Sequence, residues 1–303
     1  MVKHVGPRPS PLAPSTLLLT AAVARLAAFE GVRVLIIKGV AATEYNLRLP
    51  RASSDVDVIV SPDDYEAFVA TLEVRGWVRR AHDPDTETFP VHSVSVYHPH
   101  WAADIDVHFR YPGLEEDADV VFERLWAQRT TYWCGNQPVL IPGLADAILI
   151  GAVHSIRSLW AANHRAEFSY LVKRCRHMDI DLLVGRAREL GALATSRPFL
   201  ERLLPMHTEL DWGTPSAEWR IRTEFPEAID RRALLWKQAT PRERLTKLRH
   251  ALFPPVSALV KQSTRQSLRP GELVASYLAR WARGLRVLPR GLVMLARAPR
   301  RGR

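Results

Sequence analysis

Asp55 and Asp57 stand two apart in Asp55-Val56-Asp57-Val58-Ile59-Val60, a run that alternates as a strand does. Both carboxylates therefore leave one face, while Val56, Val58 and Val60 enter a core from the other. Like charges this close raise each other's pKa. The usual remedy is a hard cation with oxygen ligands, most often Mg²⁺ bound through one or two carboxylates plus substrate phosphates. A second acidic run, Asp104-Ile105-Asp106-Val107-His108-Phe109, places Asp104, Asp106 and His108 on one face by the same alternation. A third carboxylate beside the first pair, Asp106 or else Asp104, completes a site for two ions that clamp the attacking and leaving oxygens of a phosphoryl displacement. The chemistry is phosphoryl or nucleotidyl transfer with Mg²⁺ or Mn²⁺; taken alone, D-x-D is as often a solvated strand end.

The elements that must position these groups can be read on either side. Val34-Leu35-Ile36-Ile37 is a buried strand that stops at a Lys38-Gly39 turn, Val40 to Leu47 is helical, and Pro50 ends that helix before the first acidic strand. Val91 to Tyr97 alternates and makes a hairpin partner for the Asp104 strand. His92, His98, His100 and His108 crowd around that hairpin, but their spacing is not that of a transition-metal site. His108, on the face of Asp106, either touches substrate or orients a neighbouring carboxylate.

Three segments carry a likeness: Lys38-Gly39, Arg51-Ala-Ser-Ser54-Asp55-Val-Asp57-Val-Ile-Val, and Ile105-Asp106-Val-His108-Phe. They resemble the uncharacterised nucleotidyltransferase family of the DNA polymerase β superfamily, with its KG turn, R-x-x-S-D-I-D-L-L-V strand and V-D-L-H-W strand. The likeness covers the first half of the chain, and more loosely a helix from Leu144 to His154. It implies that Asp55 and Asp57 are paired metal ligands and Asp106 the third carboxylate. It also sets Lys38, Gly39 and Arg51 near the phosphates of a nucleoside triphosphate co-substrate; Ser54 and His108 complete the candidate cofactor-binding residues. The wider superfamily has Gly-Ser or Gly-Gly where Gly39-Val40 stands here, so Lys38 is expected to replace the missing hydroxyl donor.

The remaining features bound this reading. A chain of 303 residues suggests two domains, and a formal net charge of +10 favours anionic partners without choosing among them. Cys134 and Cys175 show neither zinc spacing nor a disulfide framework, which suits a reducing cytoplasm. No apolar run is long enough to span a membrane. The apolar start of the helix at Thr16 to Phe29 is interrupted by Arg25, against a secretory leader. There is no GKS or GKT, G-x-G-x-x-G or G-x-S-x-G, which disfavours P-loop, dinucleotide and α/β-hydrolase chemistry.

The expected fold is α/β, of the α+β kind: a small mixed sheet with helices on one side, then a mainly helical domain. A flexible tail over 1–14 precedes a catalytic domain over 15–141, a helical domain over 142–298 and a basic tail over 299–303. Within the helical part, Leu144 to Leu159, Ala166 to Cys175, Asp181 to Leu190 and Arg197 to Leu204 have helical periodicity, and His154, Arg157, His164 and Arg165 are candidates to line a cleft. Arginines recur from Arg280 onward with Trp281, Leu285 and Leu288, in segments that Pro289 is expected to break. Their apolar residues read as an inner packing face, with an anionic membrane or acidic partner as the alternative. The acceptor is open between small molecule, peptide, protein and RNA. The rival functions are a non-catalytic protein binding through its basic end and a toxin-like enzyme that nucleotidylates RNA.

Overall fold

The computed structural model describes residues 12–80, 89–205, 208–224, 236, 240–253 and 270–297. Two compact units divide the chain: Met1–Arg79 with His92–Arg220, and Arg80–Val91 with Ile221–Arg303. Residue 141, where the sequence changes texture, lies inside the first unit.

The first unit is built on a five-stranded mixed sheet in the order β1-β2-β5-β4-β3. Its strands are β1 (Val34–Ile36), β2 (Asp55–Val60), β3 (Val78–Arg79), β4 (Ser93–Tyr97) and β5 (Asp104–His108). Strands β2 and β5 are parallel, with Asp55 opposite Asp104 and Asp57 opposite Asp106. That pairing needs a long crossover, supplied by α3 (Pro62–Val74) and the β3–β4 segment. Ser61 caps α3, accepting from the Asp64 amide, with Pro62 in the first turn.

The valines of the D-x-D strand do what their alternation predicts. Val56, Val58 and Val60 join Ile105 and Val107 in one cluster with Leu19 and Val23 of α1 (Leu12–Glu30) and with Phe68 and Val69 of α3. Each such side chain, fully buried, contributes roughly 1.5–3 kcal/mol, so the register that aims the aspartates is firmly held. Leu35, Ile37 and Ile59, on the other face, join a second cluster with Phe122 and Leu125 of α4 (Ala118–Ala127) and Ile148 and Leu149 of α5 (Leu144–Ile156). Helices thus cover both faces of the sheet and not one, because Leu35 and Ile37 at β1 and Ile59 at the end of β2 make a second apolar face beyond the aspartates.

Several element boundaries differ from expectation. Helix α1 begins at Leu12, inside the expected tail, since Pro14 falls in the first turn, where a missing N–H costs nothing; Ser15 is buried within it. Helix α2 (Val40–Glu44) stops short of Leu47, with Asn46 at φ 53°. The hairpin of β6 (Thr130–Cys134) and β7 (Gln137–Ile141) turns at Gly135-Asn136, both at positive φ as a tight hairpin demands.

After α5 come α6 (Ala162–Cys175), α7 (Ile180–Glu189) and α8 (Leu193–Leu200), each starting somewhat earlier than periodicity suggests. Arg186 on α7 is buried against Asp146 on α5, with its Nε 2.5 Å from Oδ1, and also donates to the Arg124 carbonyl. Cys134 and Cys175 are buried free thiols. Helix α9 (Ala217–Glu224) contains the division between units.

In the second unit, α10 (Pro241–Leu252) and α11 (Pro270–Arg297) meet where the Trp281 indole donates to the Leu252 carbonyl at 2.8 Å. Pro289 does not break α11. Leu285 and Pro289 are both exposed, so water can reach the carbonyl that the proline leaves without a helical partner. The expected basic tail over 299–303 lies outside the described residues.

Candidate active site

The site forms on the face of β2 and β5 that carries the aspartates. Parallel register brings Asp57 beside Asp106, and antiparallel pairing of β4 with β5 brings Ser95 opposite Asp106. The Ser95 hydroxyl donates to Asp106 Oδ1 at 3.0 Å. His108 Nε2 lies 3.1 Å from Asp106 Oδ2 and 3.3 Å from Asp57 Oδ1, so the imidazole bridges the two carboxylates. Lys38, just past β1, forms an ion pair with Asp57. Asp55, one step nearer the strand's start, accepts from the Ser54 hydroxyl at 3.3 Å.

Burial decides what these contacts mean. Asp57 and His108 are almost wholly enclosed. Burial alone would raise the carboxyl pKa values of Asp57 and Asp106, yet Lys38 and His108 outweigh it and hold both below the ordinary range. His108 shows the converse: burial pushes its pKa down, and Asp106 and Asp57 bring it above the usual value. Lys38 is likewise raised against the pull of burial, by Tyr111 and Asp57. Asp55 is raised, by burial first and then by Asp57. Lys38 and the His108 imidazole thus stabilise the two buried anions, and Asp55, whose pKa is raised where theirs are lowered, is the most basic carboxyl of the three.

A cavity of about 200 Å³ opens beside this cluster, lined among others by Lys38, Gly39, Arg51, Asp55, Asp57 and Tyr132. Gly39 sits at φ 54° and ψ −101°, a conformation reserved in practice for glycine, and this turns the chain from β1 into α2. Arg51 pairs with Glu167 on α6 at 2.8 Å, and Arg48 donates to the Ser53 hydroxyl and the Arg51 carbonyl. The Nε of Arg48 is buried without a partner.

Of the residues expected from sequence, Lys38, Asp57, Asp106 and His108 converge directly. Gly39, Arg51 and Asp55 line the adjoining cavity, and Ser54 supports Asp55. Asp106, not Asp104, joins Asp57 in a group with ligand geometry. Among the described residues, His92, His98 and His100 form no such group. The sequence reading missed Ser95, whose place opposite Asp106 the hairpin alternation contained, and Arg48, for which there was no signal. It also missed Tyr111, whose ring lies tilted against His108 with centroids 5.5 Å apart and whose hydroxyl is 3.5 Å from His154 Nδ1. His154, His164 and Glu167 make a second group with ligand geometry. Burial first, then Lys38 and Arg157, drive the His154 pKa well below normal, so His154 is neutral.

Two buried carboxylates with a third at their edge are hard oxygen donors and fit a divalent ion such as Mg²⁺ or Mn²⁺. Paired carboxylates on adjacent strands, a glycine turn beside them and a cationic cavity define a class of protein that handles phosphates. Residues 15–201, more than half of the chain, match the family described as uncharacterised nucleotidyltransferase, and the chain belongs to that family. No curated protein sequence matches it significantly. Among solved structures it is similar to an antigenic nucleotidyltransferase-like protein from Paracoccidioides brasiliensis, at 11% identity and TM-score 0.38 over 64% of this chain and 95% of that one. It is also similar to the antibiotic-resistance factor ANT(2'')-Ia in solution, at 12% identity and TM-score 0.40 over 62% and 95% of the two chains. The complex of ANT(2'')-Ia with adenylyl-2''-tobramycin matches at 11% identity and TM-score 0.41 over 62% and 98%. Scores this low assign no substrate.

Proposed function

We propose that the protein is a metal-dependent nucleotidyltransferase, moving a nucleoside monophosphate from a nucleoside triphosphate to an acceptor hydroxyl or similar group with release of pyrophosphate. One observation carries the proposal: the parallel register that sets Asp57 beside Asp106, with Asp55 and the cationic cavity alongside. Asp57 and Asp106, with Asp55, would hold a divalent ion, which when bound polarises phosphoryl oxygens and offsets their charge. An acceptor oxygen forms a bond to the α-phosphorus while the bond from that phosphorus to the α–β bridging oxygen breaks, and pyrophosphate leaves with the electron pair. The acceptor's proton would pass to Asp55, the most basic of the three carboxyls, while Asp106, held ionised by Ser95 and His108, would serve as a metal ligand. Lys38 and Arg51 offset charge on the phosphates, an electrostatic contribution that grows with exclusion of water.

The test is calorimetric titration of ATP, GTP, CTP and UTP with Mg²⁺ or Mn²⁺, on the native chain and on Asp55→Ala/Asp57→Ala. The expected result is metal-dependent binding of at least one nucleotide that the double substitution abolishes. Binding that survives the double substitution, or no binding with any metal, sinks the proposal.

A further inference from the structure

The second unit carries a surface that nucleotidyl transfer does not explain. On α11, Val274, Leu278, Trp281 and Leu285 recur at steps of four, three and four, and thus form one stripe along the helix. They are 59%, 55%, 38% and 70% exposed. Trp281 and Leu285, read from the sequence as part of an inner packing face, are therefore turned to solvent. Helix α10 repeats the arrangement: Leu245, Leu248 and Leu252 follow at three and four, and all are exposed, as is Phe253 beyond them. The two stripes meet where Phe253 packs edge-on against Trp281, with ring centroids 6.0 Å apart.

Positive charge is concentrated in the same segment of the chain. Of the 42 Lys and Arg residues, 15 lie in 241–303, against two of the 32 acidic residues, so that segment carries +13 and the preceding 240 residues carry −3. Arg242 and Arg249 on α10 and Arg286 on α11 are exposed. No described helix is long and apolar enough to cross a membrane, so a charged amphipathic pair of this kind can lie along a surface but not span it.

We infer that α10 and α11 dock on an anionic lipid bilayer, with the leucine, valine and tryptophan stripe entering the boundary between headgroups and acyl chains and the arginines meeting the phosphates. A bilayer is the partner that satisfies both halves of the surface. Nucleic acid offers phosphates but leaves the aliphatic stripe without a counterpart. A second copy of this chain would cover the stripe but oppose +13 to +13, and like net charge disfavours that contact. Trp281, at the centre, has the amphipathic ring that favours membrane interfaces.

The experiment is co-sedimentation of the full chain with vesicles of phosphatidylcholine alone or mixed with phosphatidylglycerol, at low and high salt. Tryptophan emission reads insertion in parallel, and tRNA binding and oligomeric state are measured on the same protein. Association with the anionic vesicles only, weakened by salt and accompanied by a blue shift, is the expected result. Arg249→Gln/Arg286→Gln should weaken it roughly twenty-five-fold, about fivefold for each cation removed near the surface. Leu278→Asp/Leu285→Asp should abolish the blue shift while leaving the circular dichroism unchanged. Failure to sediment with anionic vesicles overturns the inference, whether tRNA binds, the chain dimerises through the stripe, or neither occurs. Vesicle binding unaffected by either variant overturns it too.

Discussion

Replacing Lys38 by Met removes the ammonium that pairs with Asp57 while keeping most of the side chain's volume. Breaking a buried ion pair by deleting one partner costs roughly 3–5 kcal/mol, because the surviving charge is left without compensation. His108 still reaches Asp57 at 3.3 Å, so the lower end, about 3 kcal/mol, is expected. For a unit of this size each kcal/mol moves Tm by roughly 2–4 °C, which sets the expected fall at roughly 6–12 °C in a calorimetric melt at neutral pH. The pH dependence has a definite sign. Lys38 holds the Asp57 pKa below its ordinary 3.8, so the stability it confers is present above that value and is lost as pH falls through the lower folded pKa. The gap between native and variant must therefore close in acid. Divalent ions supply a second arm. The ammonium and an ion at the carboxylates compete for Asp57, so at one fixed Mn²⁺ concentration Lys38→Met should gain more than the native chain, reaching about 2.7 kcal/mol at a hundred times the variant's Kd while the weaker-binding native chain gains less. A variant that melts with the native chain, or an equal Mn²⁺ response in both, would falsify the assignment of Lys38 as the counter-charge of a metal site.

Two further substitutions test how the site is positioned. Gly39→Ala puts a Cβ at an ordinary 3.4 Å from Ser53 Oγ, so its cost, roughly 1–3 kcal/mol, is backbone strain at a positive φ; nucleotide affinity should fall more than stability, and an unchanged Kd would count against the glycine turn as part of the pocket. Asp146→Asn leaves Arg186 buried between α5 and α7 without its bidentate partner and should cost roughly 3–5 kcal/mol by denaturant unfolding, whereas Asp146→Leu/Arg186→Met should recover most of that loss; equal losses in the single and double variants would mean that the interaction is not the source of the effect.

What could be read from the sequence was whatever a period of two encodes. Alternation in Asp55–Val60 and Asp104–His108 fixes which side chains share a face, because a slip of one residue would bury the carboxylates and expose the valines. It cannot fix which strand lies beside which. The parallel pairing that sets Asp57 opposite Asp106, and Asp55 opposite Asp104, depends on the crossover through α3, which no local pattern records. The same holds for Arg48 and Tyr111: both reach the site through tertiary packing, so neither carries a spacing that would single it out. The start of α1 and the continuation of α11 were missed for a different reason. Pro14 and Pro289 read as breakers, but a proline in a first turn loses no hydrogen bond, and one on an exposed face leaves a carbonyl that water can satisfy.

Net charge misled in a more instructive way. A total of +10 points to anionic partners, and a nucleoside triphosphate is one, so composition and motif seem to agree. The distribution separates them. The 240 residues that hold the aspartate cluster carry −3, and any attraction they exert on a triphosphate is local, from Lys38, Arg48 and Arg51 around the cavity. The excess of positive charge belongs to the segment bearing the exposed apolar stripes. Screening acts on the two regions unequally: exposed charges on α10 and α11 are damped within a Debye length of about 10 Å at 0.1 M salt, while the largely enclosed Lys38 is shielded far less. Salt that releases the chain from an anionic surface should therefore leave nucleotide binding nearly intact, and two charge systems in one chain become separable by ionic strength alone.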